Sequence, residues 1–170
     1  MTTFLAGQEL TAGALNAAIG YRKVKTIDES VGNDTLQNDD HLFIPVPANF
    51  TGQGQLRMLY SISAGTAADM KFRLTFPSSD FAWGQLRIPT SVSSGAGTTV
   101  DYGGETLTAV TNSATIGVGA GTGILCAIAE FTLFVGGSGG TLQLQWAQNT
   151  NTVGVNTVMR KGSSLWIAQV

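Results

Sequence analysis

The chain has 170 residues, of which 43 % are apolar and only 12 % charged, and its formal net charge is −2. This length fits one domain with a sizeable core, and the shortage of Lys and Glu argues against a helical bundle, whose exposed faces normally carry such residues. The nine basic residues are scattered, which argues against binding to a phosphate backbone, while one cysteine and one histidine exclude an internal disulfide, a thiolate zinc cluster and most acid–base sites.

The N-terminal segment differs from the rest of the chain. Residues 1–9 contain neither a basic region nor an apolar stretch long enough for a signal peptide, so we expect a protein that is made and kept inside a cell until something releases it. A short helix is favoured after them, because Thr11 is a candidate cap, Leu15 and Ile19 lie one turn apart, and Gly20 can end it. Two turns are marginally stable alone, so this helix needs a surface of its own chain or of a neighbouring subunit.

From residue 21 onward the sequence has the period of two that is typical of strands. Residues 21–27 are predicted as an edge strand, because their three basic side chains would discourage stray pairing. Residues 28–40 are predicted as a polar loop with a turn at Gly-Asn-Asp, residues 32–34. Residues 41–47 are predicted to be extended, at an edge or a strand end, because they contain two prolines.

Two segments show the clearest alternation. In residues 55–62 and 70–76 every second side chain is apolar, as expected for a sheet with one face in water. The apolar sets are Leu56, Met58, Tyr60 and Ile62 in the first segment, and Met70, Phe72, Leu74 and Phe76 in the second. Residues 63–69 between them are predicted as a hairpin loop.

Further strands are predicted in the second half, separated by connections rich in Gly and Pro. The predicted strands span residues 106–118, 123–135, 141–146, 157–160 and 165–170. Residues 77–89 are interpreted as a loop that leads into a short strand, residues 136–140 as a hairpin loop, and residues 161–163 as a turn.

This pattern predicts the fold class and the domain organisation. Roughly nine or ten short strands with regular turn signals indicate an all-β, antiparallel β-sandwich of jelly-roll type. We divide the chain into an N-terminal arm with a short helix, residues 1–20, and a β-sandwich domain, residues 21–170. Residues 1–85 hold 14 charged side chains but residues 86–170 hold only 6, and such depletion is a property of subunit interfaces.

Three short motifs resemble catalytic or ligand-binding sites, and each has a simpler structural explanation. Residues 136–140 form a literal G-x-S-x-G, but a nucleophile elbow needs a helix after it and a histidine downstream. Residues 117–123 lack the Gly-Lys-Ser/Thr ending of a phosphate-binding loop. Asp101 and Glu105 lie in a loop, where sequence spacing does not set the carboxylate separation of a glycosidase.

Asp39, Asp40 and His41 place three possible metal ligands in succession. Adjacent residues of an extended chain point to opposite faces, so the three side chains do not converge easily. A site for a divalent cation would need a further carboxylate, from Asp34 or from another subunit. We therefore predict a solvated turn before a strand.

The single cysteine and the tryptophans complete the set of candidate residues. Cys126 lies in an apolar strand and is predicted to be an inert buried thiol. Trp83, Trp146 and Trp166 offer a carbohydrate platform, with core or subunit packing as the favoured interpretation. The sequence therefore predicts no catalytic residue, no cofactor and no metal, and the protein is expected not to be an enzyme.

Residues 4–16, FLAGQELTAGALN, resemble the opening of many small virion structural proteins of tailed bacteriophages, especially those that infect actinobacteria. In those proteins a start of the form F-x-x-G-x-x-L-T-A-x-x-L-N precedes a short strand and a β domain rich in Thr and Gly. The L-Q-W-A-Q of residues 144–148 and the G-S-x-L of residues 162–165 are similar as well.

The resemblance implies a β-sandwich module of the virion, often trimeric, that decorates a capsid or belongs to a tail structure. Compact size and a short arm favour a capsid decoration or minor capsid protein. It would be made in the host cytoplasm, lie on the capsid surface, and bind the major capsid protein as a homo-oligomer, with a trimer expected. No nucleic acid and no membrane are expected as partners.

In this interpretation the N-terminal arm is the capsid anchor. Its apolar contacts would be Phe4, Leu5, Leu10, Leu15 and Ile19. Alternatively the arm covers its own sandwich. A second functional hypothesis is a tail-tip or tail-fibre module that binds host-surface glycan through exposed aromatic residues such as Trp83 or Tyr102, and a third is a small glycan hydrolase.

Overall fold

The computed structural model describes residues 11, 20–64, 69–76, 79–89, 102–105, 116–118 and 122–170. These residues contain twelve strands and no helix. The strands are β1 (Tyr21–Val24), β2 (Glu29–Val31), β3 (Gln37–Val46), β4 (Thr51–Ile62), β5 (Met70–Thr75), β6 (Ser79–Pro89), β7 (Tyr102–Glu105), β8 (Ile116–Val118), β9 (Leu125–Val135), β10 (Gly140–Gln148), β11 (Thr157–Met159) and β12 (Ser164–Gln169). The predicted arm helix and its residues Phe4, Leu5, Leu10, Leu15 and Ile19 lie outside the described residues.

The strands form two antiparallel sheets. The first has the order β1-β12-β4-β9-β6-β7, with β11 paired to β4 and β2 paired to β11. The second has the order β3-β10-β5-β8. In both sheets all pairings between neighbouring strands are antiparallel, so the all-β, antiparallel prediction is confirmed.

One apolar core lies between the inner faces of the two sheets. From the first sheet, β4, β9 and β12 contribute buried side chains, and from the second, β3, β5 and β10 do so. Trp146, Tyr60 and Phe72 are among the largest fully buried residues. Burial of this apolar area at about 25 cal/mol per Å² is the main term that holds the sheets together. The arrangement is that of a sandwich.

The strands predicted from strict alternation are confirmed. All eight apolar residues of the two sets in segments 55–62 and 70–76 are buried. The edge strand predicted for residues 21–27 corresponds to the shorter β1, which lies at one end of the strand order in the first sheet. The proline-containing segment is β3, which lies at the edge of the second sheet. Proline has no N–H to donate, and an edge strand tolerates this because one of its sides has no partner strand.

The connections differ from the prediction, because the chain crosses between sheets where hairpins were expected. Residues 63–69 join β4 of the first sheet to β5 of the second, and residues 136–139 join β9 to β10 across the sandwich. Neither connection is therefore a hairpin loop. A local alternation pattern gives the direction of side chains but not the partner of the strand.

Two further elements differ from expectation. Residues 79–89 form the 11-residue strand β6, not a loop with a short strand, and its pairing with β9 shifts register between Trp83 and Leu86. This irregularity explains the broken alternation there. The turn at residues 161–163 does not reverse the chain, because β11 and β12 both pair antiparallel with β4 and follow each other along it.

Candidate functional site

A polar cluster lies between the two sheets, and Lys25 is its centre. Its backbone is fixed where β1 ends: the N–H of Lys25 donates to the carbonyl of Ser163 at 2.8 Å, and the N–H of Gly162 donates to the carbonyl of Lys25 at 2.8 Å. The lysine was expected on an exposed edge strand, but its side chain is fully buried. An ammonium group in the interior requires partners that compensate its charge.

Two carboxylates supply that compensation. Lys25 Nζ lies 2.9 Å from Oδ2 of Asp39 and 2.5 Å from Oε2 of Glu29, which is the first residue of β2. Asp39 is fully buried, whereas 17 % of the Glu29 side chain is exposed. Lys25 follows a strand of the first sheet and Asp39 belongs to the second, so this contact joins the two sheets.

A bulge in β3 turns Asp39 into the interior. The pairing of β3 with β10 shifts register between Gln143 and Gln145, and the burial pattern changes phase between Asp39 and Leu42. Oδ1 of Asp39 accepts hydrogen bonds from the backbone N–H groups of His41, at 2.9 Å, and Leu42, at 2.8 Å. The side chain thus satisfies donors that the interrupted ladder leaves free.

Neighbouring side chains complete the hydrogen bonding of Asp39. The indole N–H of Trp146 donates to Oδ2 of Asp39 at 3.1 Å, and the amide of Gln143 donates to its backbone carbonyl at 3.0 Å. The prediction of a solvated turn for residues 39–41 is therefore wrong for Asp39. The polar loop predicted for residues 28–40 is replaced in part by β2 and by the start of β3.

Glu29, Asp39 and His41 also bring potential metal ligands together. One ligand atom from each lies within 4.8 Å of the others, so these side chains converge. Asp39 and His41 lie two residues apart, and alternation allows such residues to share a face. Nδ1 of His41 is buried and has no hydrogen-bond partner among the described residues. However, the ammonium of Lys25 contacts both carboxylates, and it therefore holds the place that a cation would take.

A second polar feature lies on the outer face of the first sheet. A shallow depression of about 570 Å³ is lined by Tyr21, Arg22, Gln55, Arg57 and Trp166, among others. Arg22 pairs with Trp166 and Trp166 with Gln55 across β1, β12 and β4, so the three side chains form one cross-strand row. Trp166 is 37 % exposed, and Arg22 and Arg57 line the same depression.

The other candidate residues are distributed through the sandwich. Trp146 is buried, which agrees with core packing as the favoured interpretation, whereas Trp166 is on the surface. Trp83 and Tyr102 belong to β6 and β7. Cys126 is partly exposed on the outer face of β9, so the prediction of a buried thiol is wrong. Glu105 ends β7, while Asp101 lies outside the described residues.

Sequence reasoning missed the Lys25–Glu29–Asp39 cluster. Lys25 lies in a segment whose basic side chains indicate an exposed strand. Its backbone hydrogen bonds with Ser163 and Gly162, which are distant in the sequence, hold it in the interior instead. One signal of the bulge was present in the sequence. Asp39 and Leu42 are three positions apart, and in a regular strand such residues point to opposite faces.

A scan against models of known protein families finds no match, and a comparison with curated protein sequences finds none either. The described part of the chain also contains no apolar helix of membrane-spanning length. The function must therefore be argued from the connectivity of the sheets and from their surfaces.

Proposed function

We propose that this chain is a structural protein of a tailed-bacteriophage virion. In this role it binds the major capsid protein, lies on the capsid surface and reinforces the lattice as a homo-oligomer, expected to be a trimer. No catalytic reaction is assigned to it. The observation that carries the proposal is the order of the strands, which supports a jelly-roll sandwich.

The strand pairing is nested. β1 pairs with β12, β3 with β10, β4 with β9 and β5 with β8, so the first half of the chain pairs in reverse order with the second. The pairs alternate between two four-stranded sets, β1-β12-β4-β9 and β3-β10-β5-β8. This nesting supports a jelly roll, in which a long antiparallel ribbon is rolled up and which is frequent in viral capsid proteins and lectins.

The surface of the sandwich is suited to contacts with other protein subunits. Two cross-strand hydrogen bonds order the outer face of the second sheet: Arg73 donates to Gln145 at 2.6 Å, and Gln145 donates to Asn38 at 2.7 Å. Large apolar side chains are also exposed, at Val24, Ile27, Phe43, Ile124, Phe134, Val153, Trp166 and Val170. Exposed apolar side chains can be desolvated at low cost when subunits associate.

The resemblance of residues 4–16 to virion proteins places the proposed anchor in the N-terminal arm. Its five apolar residues, Phe4, Leu5, Leu10, Leu15 and Ile19, are proposed to contact the capsid. Gly20, the last residue of the proposed arm, lies against Ile167 and Ala168 of β12. Each subunit needs to contribute only a modest association energy, since many copies act together on one lattice.

The number of copies in purified virions tests this role. Quantitative mass spectrometry of particles is expected to give a copy number comparable to the capsid lattice, on the order of hundreds, because linked weak contacts act collectively. Removal of residues 1–19 should abolish binding to capsids while leaving the β domain folded. A handful of copies at the tail, or unchanged capsid binding without the arm, would contradict the decoration role.

One observation favours a second candidate function, a tail-tip or tail-fibre module that binds host-surface glycan. The depression around Trp166 combines an exposed aromatic ring with Arg22, Arg57 and Gln55, which can donate hydrogen bonds to sugar hydroxyls. A glycan array with the wild-type protein and with Trp166→Ala tests it. Phe134→Ala, which removes another exposed ring from the same sheet, is the matched control. No hit with the wild-type protein would reject this candidate.

A further inference from the structure

We propose that Lys25 and Asp39 form an intramolecular isopeptide bond, with Glu29 as the proton carrier that promotes its formation. Such a bond would join the end of β1 in the first sheet to β3 in the second. All three residues belong to one chain, so the inference does not depend on the proposed virion role.

The contact geometry supports this reaction. Nζ of Lys25 lies 2.9 Å from Oδ2 of Asp39, next to the carboxyl carbon that it would attack. Both side chains are fully buried, so neither can move away into solvent. Intramolecular groups held close to a near-attack separation of about 3–3.5 Å react far faster than the same groups free in solution.

The balance of charge also favours condensation. One ammonium faces two carboxylates, and Lys25 and Asp39 have lost their contact with water. Desolvation disfavours a buried ion pair, and transfer of one proton from Lys25 to Asp39 removes both charges. Condensation makes this neutral state permanent and leaves a single carboxylate, that of Glu29, at the partly exposed position.

The surroundings of Asp39 resemble an oxyanion site. Oδ1 of Asp39 already accepts two backbone N–H groups, from His41 at 2.9 Å and from Leu42 at 2.8 Å. These distances are those at which donors stabilise the negative oxygen of a tetrahedral intermediate. The indole N–H of Trp146, 3.1 Å from Oδ2, is placed to assist the departing oxygen.

The reaction releases one water and changes no oxidation state. Lys25 first gives a proton to Oδ2 of Asp39, and the lone pair of the neutral amine attacks the carboxyl carbon. The C–N bond forms as the carbonyl electron pair moves to Oδ1. Glu29, 2.5 Å from Nζ, takes a proton from the nitrogen and returns it to Oδ2. The C–Oδ2 bond then breaks, water leaves, and Glu29 is again a carboxylate.

The intact mass of the purified full-length protein tests the proposal. We expect a mass about 18 Da below that of the sequence, which corresponds to one water lost in the covalent linkage. Lys25→Arg and Glu29→Gln should have the full mass of their sequences. Asp28→Asn, which alters a nearby carboxylate that contacts Arg160 instead, is the matched control and should keep the deficit.

Peptide mapping of the wild-type protein locates the bond without any variant. Trypsin should fail to cut after Lys25, which gives the peptide of residues 24–57 with the mass deficit. A further cut after Glu29 should leave residues 24–29 joined to residues 30–57. Full mass, together with normal tryptic cleavage after Lys25, would overturn the proposal and leave a simple ion pair. A deficit that persists in Glu29→Gln would overturn the role of Glu29.

Discussion

At the scale of single residues, Ser163 shows how one hydroxyl replaces part of a sheet ladder. The chain between β11 and β12 leaves β4 at this point, and Ser163 Oγ accepts the backbone N–H of Leu59 at 2.9 Å. The same hydroxyl lies 2.8 Å from the carbonyl of Arg160, to which it can donate. Ser163 is fully buried, so water cannot take over these bonds.

Ser163→Ala is therefore expected to destabilise the protein. The part-buried N–H of Leu59 would lose its acceptor, which costs about 1–3 kcal/mol in the free energy of unfolding. Urea denaturation would measure this as a lower midpoint with an unchanged slope. Ser138→Ala, in the exposed connection before β10, is the control and should leave the midpoint unchanged. Equal midpoints for the two variants would show that Ser163 does not support the ladder.

Asp28 provides a prediction for pH dependence. The backbone N–H of Lys161, at 2.7 Å, and then the guanidinium of Arg160, at 2.8 Å, hold the pKa of Asp28 below its ordinary value. A carboxylate with a lowered pKa in the folded state adds stability above its unfolded pKa, and this stability is lost as the pH falls through the folded pKa. The group is largely exposed, so the effect is small, below about 1 kcal/mol.

Asp28→Asn should therefore lower the thermal midpoint slightly at neutral pH. Its effect should shrink as the pH falls below about 4, the pKa of the unfolded carboxyl, and through the lower pKa of the folded one. Thermal unfolding at several pH values, with Asp34→Asn as a control from an exposed turn, measures this. A destabilisation that does not change with pH would refute a role for the charge.

The sequence could indicate single candidate residues but not the cluster that they form. Asp39 and His41 were recognised as possible ligands, whereas Lys25 was assigned to an edge strand and Glu29 fell within the predicted polar loop. Their convergence depends on the bulge in β3 and on the contact of Lys25 with residues 162 and 163. The contact of Lys25 is long-range and has no local signature in the chain, and the bulge is indicated only by the odd spacing of Asp39 from Leu42.

At the scale of elements, glycines in β4 allow close packing of the two strands beside it. A Cβ atom on Gly54 would lie 2.5 Å from the carbonyl oxygen of Trp166 and 2.6 Å from the ring of Phe131. Gly52 has similar contacts with the ring of Phe50. These side chains thus cover β4 at positions where any larger residue would displace them.

Gly54→Ala is expected to destabilise the protein by about 1–3 kcal/mol, because the added methyl group forces backbone or ring movement in a packed sheet. Gly137→Ala is the control, since a Cβ there meets no atom within 4 Å. Chemical denaturation of both variants checks the difference. An unchanged free energy of unfolding for Gly54→Ala would mean that β4 and β12 can move apart at low energetic cost.

The same glycines explain what was missed about β4. Its alternation was recognised from residue 55, but the strand begins at Thr51, because glycines at positions 52 and 54 remove the apolar signal. β5 and β10 carry an uninterrupted signal and were identified correctly. β6 was not, because its bulge shifts the alternation in mid-strand.

At the scale of the whole molecule, the nested pairing makes the two halves of the chain depend on each other. β3, β4 and β5 each pair with a strand from the second half, namely β10, β9 and β8. Non-local pairing of this kind gives little structure until the distant strands meet, so folding is expected to be slow and cooperative.

A fragment of residues 21–123 should therefore remain unfolded, because it lacks β9, β10 and β12 and exposes unpaired strand edges. The fragment of residues 20–170 is the control and should fold, since it keeps every described strand. Circular dichroism and the dispersion of amide proton signals distinguish the two outcomes. A folded 21–123 fragment would contradict the interdependence of the halves.

The position of Cys126 allows assembly of the protein to be followed by chemical labelling. It is the single cysteine, and it lies on the outer face of β9, paired with Leu59 of β4. A maleimide reagent would therefore modify one defined place, and its rate of reaction with free subunits and with assembled particles could be compared directly. Slower alkylation after assembly would mean that this side of the sandwich faces a neighbour, and an unchanged rate would mean that it faces solvent.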